Sequence, residues 1–204
     1  MISYVYGFPI YKTKVSDKIL LREETKKNLE IGYLSKWKGN CLTTSTADIT
    51  KAFKSKIVID EITKHVNDMI LKLGLNLKVN MIECSTEKCT ECNDIWVNVY
   101  TKGHDQETHI HTANSEDEKE PIFSFAYFAE YNPETDSKFI FVNPAPITPC
   151  KELQKLSCYK PEIIPDVEEG DVLIFPSLLP HRVSTHQNEK PRVTISGNFY
   201  KQTY

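Results

Sequence analysis

The segment THIHTANSE, residues 108–116, contains two histidines one position apart, His109 and His111. If this segment is a strand, alternate residues point to the same face, so the two imidazoles lie together and Ile110 points away. Two imidazoles from one short segment are a frequent part of a transition-metal site. The same spacing also occurs on solvated strand edges, and the preceding residues are polar, so the pair indicates a metal only if other ligands join it.

A third histidine and an arginine follow on later strand-like segments of the chain. His181 comes after an apolar run and a proline, and Arg192 lies eleven residues further on. A guanidinium binds a carboxylate through two parallel hydrogen bonds, and Thr194, on the same strand face, adds a hydroxyl beside it. We therefore predict a metal held by His181 and the H-x-H pair, with a dicarboxylate that bridges the metal and Arg192.

The composition is that of a globular protein, and it argues against several function classes. The 204 residues are 40% apolar and carry a net charge of −3, so no basic face for nucleic acid is expected. No apolar run approaches the ~20 residues that cross a bilayer, and the N-terminal segment lacks the pattern of a signal peptide. We therefore expect a cytoplasmic protein whose six cysteines are reduced.

The spacing of apolar residues divides the chain into a helical part and a β part. Residues 15–31 and 47–73 have helical periodicity, and each segment is followed by a glycine. After the second helix the period changes to two, and short strand-like runs follow at 75–81, 95–101, 122–131, 138–144, 171–176, 181–186 and 192–200. We predict a single domain covering 1–204, in which 1–74 are mostly helical support and 75–204 form an all-β sandwich or barrel.

The remaining histidines and cysteines give weaker signals. His186 is expected at the surface, and His65 on the polar side of the second helix. The run CSTEKCTEC, with Cys84, Cys89 and Cys92, could bind zinc if a fourth ligand joined it, but the second cysteine pair of a structural zinc site is missing. Whether these three cysteines bind a metal stays open.

The joint order of these motifs resembles that of the iron(II)- and 2-oxoglutarate-dependent oxygenases, and most closely the subgroup common in bacteria and marine phages. The resemblance covers residues 95–200, and its motifs are Trp96-Val97-Asn98, Gly103, His109-Ile110-His111, Gly170-Asp171 with Phe175-Pro176, His181, and Arg192 through Phe199. It implies a mainly β fold with N-terminal helices and a double-stranded β-helix (jelly-roll, cupin-like) core.

The resemblance also implies the chemistry. The protein would be a dioxygenase, most simply a hydroxylase, that converts 2-oxoglutarate to succinate and oxidises a C–H bond of an unknown substrate, such as a protein side chain or a small molecule. It would use Fe(II), the co-substrate 2-oxoglutarate and O2, with ascorbate added in vitro. His109, His111 and His181 would be the catalytic metal ligands, and Arg192 with Thr194 would bind 2-oxoglutarate.

Three further polar residues are candidates for binding 2-oxoglutarate. Asn98 lies on the strand face of Trp96 and Tyr100, and Tyr127 and Asn198 belong to strands that should line the same cavity. Each could form a hydrogen bond with the co-substrate, although any buried polar residue also needs a partner for purely structural reasons.

The second metal ligand departs from most of the wider superfamily, which has a carboxylate where this chain has His111. Either three histidines bind the iron, or an acid comes from Asp105, Glu107 or Glu116, or two histidines and water complete the site. We favour the three-histidine set. Three neutral imidazoles would leave two positive charges on Fe(II), so the carboxylates of 2-oxoglutarate would neutralise more of the charge.

Two other functions stay open at this point. The glycine and histidine spacings in 103–116 and 170–181 also match most of the two cupin signatures, so a cupin-type metal enzyme that does not use 2-oxoglutarate is one alternative. A non-catalytic binding module on the same fold is another. The cupin interpretation has no specific use for Arg192. The sequence also leaves open whether the chain forms a homo-oligomer.

Overall fold

The computed structural model describes residues 1–31, 34–36, 41–44, 55–81, 94–113, 119–145, 156 and 160–202. The helices in these ranges are α1 (Lys18–Ile31) and α2 (Lys56–Lys72). The strands in these ranges are, in chain order, β1 (Ile2–Val5), β2 (Phe8–Lys14), β3 (Ser35–Lys36), β4 (Leu42–Thr43), β5 (Val79–Asn80), β6 (Ile95–Tyr100), β7 (Gln106–His109), β8 (Pro121–Glu130), β9 (Phe139–Val142), β10 (Glu162–Ile163), β11 (Asp171–Pro176), β12 (His181–Val183) and β13 (Arg192–Lys201).

The strands form a large and a small antiparallel sheet. The large sheet has the order β1-β2-β11-β8-β13-β6-β4-β3, with β5 paired to β13, and the small sheet has the order β10-β9-β12-β7. The two sheets pack through aromatic side chains, and the ring of Phe139 lies 6.3 Å from that of Phe128 and 5.7 Å from that of Phe175. Burial of one such ring contributes about 2–3 kcal/mol, so this layer joins the sheets firmly. The predicted mainly β fold with a jelly-roll core is confirmed.

The helices cover the outer face of the large sheet, and α2 presents one apolar stripe to it. The buried positions of α2 recur every three or four residues, at Val58, Ile62, His65, Val66, Met69 and Ile70. At the start of α1, the Oδ1 atom of Asp17 accepts hydrogen bonds from the N–H groups of Ile19 (3.1 Å) and Leu20 (3.0 Å). This cap explains why the helix predicted from residue 15 begins at Lys18.

Strands β1 and β2 lie in a part of the chain that the sequence analysis assigns mostly to helices. β2 pairs with β11, so residues 8–14 belong to the large sheet. Ile10 and Tyr11 are both buried, and they contribute to the cores on opposite faces of the sheet. A strand covered on both faces shows no apolar–polar alternation, which is why it was not predicted. The strand predicted for 75–81 is reduced to Val79–Asn80.

Two glycines of the sequence motifs form turns that lead into the core strands. Gly103, with φ +86°, lies in the turn between β6 and β7, and Gly170, with φ +91°, precedes β11. A residue with a side chain rarely adopts these backbone angles, so the backbone conformation explains why glycine occurs at both motif positions. In the parts of the chain that the structure describes, no helix has the length and apolar character needed to cross a bilayer.

Two histidines that were expected to be solvated are buried, so these two predictions are wrong. The ring of His186 is fully enclosed: Nδ1 accepts a hydrogen bond from the N–H of Ser137 (3.2 Å), and Nε2 donates to the carbonyl of Lys190 (2.9 Å). His65 lies on the buried stripe of α2, 3.1 Å from a carboxylate oxygen of Glu61. Both rings are buried because polar partners replace the lost water.

Candidate active site

Three imidazoles converge at one end of the sandwich. One ring nitrogen from each of His109, His111 and His181 lies within 4.8 Å of the others. The ring centroids are 5.3 Å apart for His109 and His111, 4.3 Å for His109 and His181, and 5.0 Å for His111 and His181. Among the residues that the structure describes, no other group of three or more histidine, cysteine or acidic side chains is placed to share a metal ion.

Strand pairing explains how His109 and His181 meet. His109 is the last residue of β7 and stands directly opposite His181, the first residue of β12. His111 lies beyond the end of β7, where its N–H donates to the carbonyl of Ser177 at 3.0 Å. The predicted convergence is therefore found, but His111 reaches the cluster through this backbone bond rather than through strand alternation.

A bulge in β7 adds a glutamine to the same cavity. His181 pairs with His109, and Val183 pairs with Gln106. The interval from Gln106 to His109 on β7 is therefore one residue longer than the opposite interval from His181 to Val183 on β12. The extra residue changes which side chains face inward, and both Gln106 and His109 line the cavity although they are three positions apart. The sequence pattern gave no sign of this bulge, and Gln106 was not predicted.

Each of the three imidazoles has its Nδ1 atom against a hydrogen-bond acceptor. His109 Nδ1 is 2.8 Å from the carbonyl oxygen of Glu107, and His181 Nδ1 is 2.9 Å from that of Leu179. His111 Nδ1 is 2.5 Å from Oδ1 of Asn198. An acceptor at Nδ1 requires the hydrogen there and leaves the lone pair of Nε2 free, which is the arrangement of metal-binding histidines.

Burial keeps the imidazoles of His111 and His181 in the neutral form that binds metals. Loss of hydration lowers the pKa of His111 to about 4, although its bond to Asn198 acts in the opposite direction. The same loss of hydration, together with the neighbouring histidines, holds the pKa of His181 well below its usual value. Both rings are therefore uncharged at neutral pH, so a metal does not have to displace a proton from either of them.

Arg192 is a buried cation in the same cavity. Its side chain is 1% exposed, and its guanidinium carbon lies 4.7 Å from the ring centroid of Tyr100, 5.5 Å from Phe128 and 5.6 Å from Tyr131. Within the described ranges, no acceptor lies in hydrogen-bonding reach of its Nε and Nη1 atoms. Burial lowers the pKa of the guanidinium, and the aromatic hydroxyls and Asp136 oppose this. A carboxylate bound in the cavity would satisfy both donors.

One cavity joins the histidine cluster to Arg192. Its wall contains two more of the residues predicted to bind 2-oxoglutarate, Asn98 and Thr194. The Nδ2 atom of Asn98 donates to Oγ of Ser196, which also lines the cavity, at 3.4 Å. The remaining wall is largely aromatic and aliphatic, with Trp96, Tyr100, Phe125, Ala126, Phe139, Phe175 and Val183. Such a site could hold a metal and a small dicarboxylate side by side while excluding most water.

Two of the predicted cavity residues lie elsewhere. Tyr127 contributes to the core beneath the helices, while its neighbours Ala126 and Phe128 point toward the small sheet. Strand alternation thus places Tyr127 on the opposite face of β8, which corrects its predicted position. Asn198 does not line the cavity but holds the ring of His111 from behind.

Tyr100 lies beside Arg192 in the cavity wall, and the acids proposed as alternative metal ligands lie apart from the histidines where the structure describes them. The hydroxyl of Tyr100 donates to Oε1 of Gln106 at 2.8 Å beside the guanidinium, and the strand period that selected Asn98 could have selected Tyr100 too. Asp105 and Glu107, the acids proposed as alternative ligands, are not part of the histidine group. Glu116 and the cluster Cys84, Cys89 and Cys92 lie outside the described residues.

Fold and site together define a class, namely a jelly-roll protein with a candidate metal centre beside an anion-binding arginine. Residues 94–198, more than half of the chain, match the model of the family described as "Putative 2OG-Fe(II) oxygenase". The chain belongs to this family of 2-oxoglutarate- and Fe(II)-dependent oxygenases. The predicted dioxygenase activity, with Fe(II) and 2-oxoglutarate as cofactors, is thereby confirmed at the level of the family, and the three-histidine cluster fits iron binding.

Solved structures of low sequence identity share the fold. A prolyl-4-hydroxylase from Pseudomonas putida has a TM-score of 0.58 at 13% identity, over 95% of this chain and 93% of that chain. HygX from Streptomyces hygroscopicus, solved with nickel, 2-oxoglutarate and hygromycin B, has a TM-score of 0.60 at 13% identity, over 96% and 84%. The viral collagen prolyl hydroxylase of Paramecium Bursaria Chlorella virus-1, solved as a 2-oxoglutarate complex, has a TM-score of 0.55 at 14% identity, over 95% and 96%. No curated protein matches the sequence.

Proposed function

We propose that His109, His111 and His181 bind Fe(II) in this protein and that Arg192 holds the distal carboxylate of 2-oxoglutarate in the same cavity. The observation that carries the proposal is the buried guanidinium, whose Nε and Nη1 atoms lack an acceptor in the described residues. A buried charge without a partner is costly, and an anionic ligand removes that cost. Since the histidine cluster lines the same cavity, one end of a dicarboxylate can bind the metal while its other end pairs with Arg192.

In this proposal the residues of the cavity bind and orient the co-substrate, and the iron supplies the oxidative chemistry. Arg192 orients the co-substrate, and the polar side chains of Thr194 and Asn98 offer further hydrogen bonds along its length. When bound, the iron supplies the oxidative chemistry that couples decarboxylation of 2-oxoglutarate to succinate with oxidation of a substrate C–H bond by O2. The protein contributes ligand geometry, orientation and exclusion of water.

Aromatic rings provide that exclusion around the histidine cluster. The ring of Phe139 stacks on His181 at 5.3 Å with an interplanar angle of 20°, and Phe175 meets His181 edge-on at 4.9 Å. Trp96 lies 5.7 Å from His111. Rigid apolar neighbours restrict the movement of the imidazoles and lower the local dielectric, so interactions between the site and charged ligands are strengthened.

The charge of the site favours a doubly charged co-substrate. Three neutral imidazoles leave the two positive charges of Fe(II) uncompensated, and Arg192 adds a third. A 2-oxoglutarate dianion offsets two of them, whereas a site with a carboxylate ligand would already have lost one. We therefore expect the dicarboxylate to bind the metal-loaded protein much more tightly than a monocarboxylate of similar size.

The test is formation of succinate from 2-oxoglutarate with Fe(II), O2 and ascorbate, which can be measured in the absence of a prime substrate. We expect succinate to form with Fe(II) and to be absent when the metal is removed. His181→Ala should abolish it. His104→Ala is the matched control, because His104 interacts with Thr101 and does not line the cavity.

Two results would reject the proposed function. If the wild-type protein binds Fe(II) but never consumes 2-oxoglutarate, a cupin-type enzyme or a binding module fits better. If His181→Ala forms succinate as fast as His104→Ala, the histidine cluster is not the metal centre. The prime substrate, which we propose to be a protein side chain or a small molecule rather than nucleic acid, is not needed for either measurement.

Cytoplasmic localisation and homo-oligomer formation are further proposals taken from the sequence. They concern where the chain acts and in what assembly, and none of the contacts in the cavity depends on them. Fractionation of cells that express the tagged chain and light scattering of the purified protein would test them directly.

A further inference from the structure

The ring of His111 is held by a line of polar side chains that leads away from the cavity. Its Nδ1 atom lies 2.5 Å from Oδ1 of Asn198, and Nδ2 of Asn198 donates to Oδ2 of Asp94 at 2.5 Å. The hydroxyl of Tyr200 donates to the same carboxylate oxygen at 2.5 Å. Asp94 does not line the cavity, so a carboxylate is connected to a candidate metal ligand from behind.

The carboxylate determines which way the amide of Asn198 points. An ionised carboxylate accepts hydrogen bonds and donates none, so the NH2 group of Asn198 must face Asp94. The oxygen of the amide then faces His111, where Oγ of Ser124 also approaches it at 2.7 Å. The reversed amide would place its oxygen against the carboxylate, and two acceptors at that separation repel each other.

The amide in turn determines the tautomer of the imidazole. With an acceptor at Nδ1, the ring carries its hydrogen there and keeps the lone pair of Nε2 for the metal. An imidazole without this acceptor can carry the hydrogen on either nitrogen. The tautomer with hydrogen on Nε2 cannot bind a metal through that atom. A histidine whose tautomer is not fixed therefore binds the metal more weakly as the population of the Nε2–H tautomer increases.

His111 differs from the other two histidines in this respect. The Nδ1 atoms of His109 and His181 face backbone carbonyl oxygens, of Glu107 and Leu179. The polypeptide fixes a carbonyl, whereas a side-chain amide can turn over with little steric change. His111 is thus the one ligand of the three whose Nδ1 partner needs a second group to hold its orientation.

The backbone between these residues allows the close approach that the line requires. The N–H of Asn198 donates to the carbonyl of Asp94 at 2.9 Å. A Cβ atom on the preceding Gly197 would lie 2.4 Å from that carbonyl oxygen and 2.7 Å from the ring of Phe125. Since no side chain fits there, glycine is required for β13 to pass Asp94 at this distance.

We propose that Asp94 and Asn198 are positioning residues of the metal centre, and that Asp94, acting through Asn198, locks His111 in the tautomer that presents Nε2 to the metal. The inference rests on the proposed function of His111 as a ligand. The carboxylate of Asp94 lies two hydrogen bonds behind the imidazole, and this line of hydrogen bonds increases the basicity of the ring.

The first test is the affinity of the metal-free protein for Ni(II), measured by titration calorimetry with the metal alone. In Asp94→Asn, the new amide can meet either edge of Asn198, so the lock is released. We expect a loss of roughly 10–100-fold, the range typical of groups that orient metal ligands. Asp171→Asn is the matched control, since Asp171 is a fully buried acid of the same sheet outside the cavity, and it should keep wild-type affinity.

The second test reads the tautomer itself in the metal-free chain. Nitrogen-15 NMR of histidine-labelled protein distinguishes hydrogen on Nδ1 from hydrogen on Nε2. We expect only the Nδ1–H form of His111 in the wild type and a mixture in Asp94→Asn. This readout does not need a metal, so it decides the role of Asp94 even if the wild-type protein binds no Ni(II), a result that would reject the proposed function instead.

A double-mutant cycle separates a shared path from two independent structural roles. If Asp94 acts only through Asn198, the variant Asp94→Asn/Asn198→Ala binds Ni(II) no more weakly than Asn198→Ala alone. Additive losses would overturn the inference, as would an Asp94→Asn protein that keeps a single Nδ1–H tautomer, whether or not its affinity changes.

Discussion

Each face of the large sheet buries polar atoms that have no hydrogen-bond partner in the described residues, namely the Tyr127 hydroxyl on one face and the Nε and Nη1 atoms of Arg192 on the other, and the consequences differ. On the face covered by the helices, the hydroxyl of Tyr127 is buried and has no hydrogen-bond partner, although Glu169, Arg22 and Asp17 act on it electrostatically. On the face toward the small sheet, the guanidinium of Arg192 borders the cavity that contains the histidine cluster. An unpartnered buried donor therefore indicates a ligand site only where a cavity adjoins it.

The free-energy cost of burial also differs between the Tyr127 hydroxyl and the Arg192 guanidinium. A neutral hydroxyl buried without a partner costs about 1–3 kcal/mol, which a fold can tolerate. A buried charge costs considerably more, and the three aromatic rings around Arg192 offset only part of it. The inner face retains a group that a ligand in the cavity can stabilise, whereas the outer-face hydroxyl of Tyr127 does not line that cavity.

Among the substitutions that test this difference between the two faces, Arg192→Ala is expected to have the largest effect. We expect the affinity of the metal-loaded protein for 2-oxoglutarate to fall by about 4 kcal/mol, roughly a thousandfold, because both unpaired donors are lost. Calorimetry under anaerobic conditions measures it. Arg182→Ala is the control, since Arg182 pairs with Glu162 on the surface (2.8 Å) and should retain wild-type affinity. Equal affinities of the two variants would remove the assignment of Arg192.

A smaller effect concerns the pH dependence of stability in the metal-free protein. A histidine whose folded pKa lies below its unfolded value makes the unfolded chain bind more protons, so stability falls as the pH is lowered through that interval. For His111 the interval runs from about pH 6.5 in the unfolded chain to about 4 in the folded chain, and full protonation would cost about 3 kcal/mol.

His181 and the outer-face His65, whose pKa burial also lowers, act in the same direction. Urea unfolding of the wild type between pH 7 and 5 measures the combined slope. We expect His111→Gln to have a shallower slope, because one of the three contributing groups is removed. An unchanged slope in this variant would mean that His111 is not held neutral.

The smallest expected effect is that of Tyr127→Phe on the outer face. Removing a buried hydroxyl that has no acceptor should leave the protein equally stable or stabilise it by about 1 kcal/mol. Thermal unfolding measures this, and the Michaelis constant for 2-oxoglutarate should not change. A clear rise in that constant would restore Tyr127 to the cavity, where the sequence analysis placed it.

The residues that carry the chemistry were predictable from the sequence because the order of their motifs selects them, although strand alternation does not explain the position of His111. The convergence of His109, His111 and His181, and the shared cavity with Arg192, Asn98 and Thr194, agree with that expectation. The roles of these residues in metal and 2-oxoglutarate binding stay predictions until the variants above are measured.

Features that depend on packing between distant segments were not predictable. β2 was missed because it is covered on both faces and so lacks alternation, and Gln106 was missed because a bulge changes the face it occupies. Tyr127 was misplaced because one strand offers two faces and the sequence does not say which one meets the cavity. The hydrogen bond from Asn198 to Asp94 joins residues that are 104 positions apart, and no local sequence pattern predicts it.

The central claim is that the histidine cluster and Arg192 form one site that 2-oxoglutarate bridges, and the most direct test is the coupling between the two ligands. Binding of 2-oxoglutarate should be measured anaerobically by calorimetry with and without Fe(II), and binding of Fe(II) with and without 2-oxoglutarate. We predict that Fe(II) raises the affinity for 2-oxoglutarate because both ligands occupy one site, and thermodynamic linkage then requires 2-oxoglutarate to raise the affinity for Fe(II) by the same factor. Equal affinity for 2-oxoglutarate in the presence and absence of the metal would contradict the account.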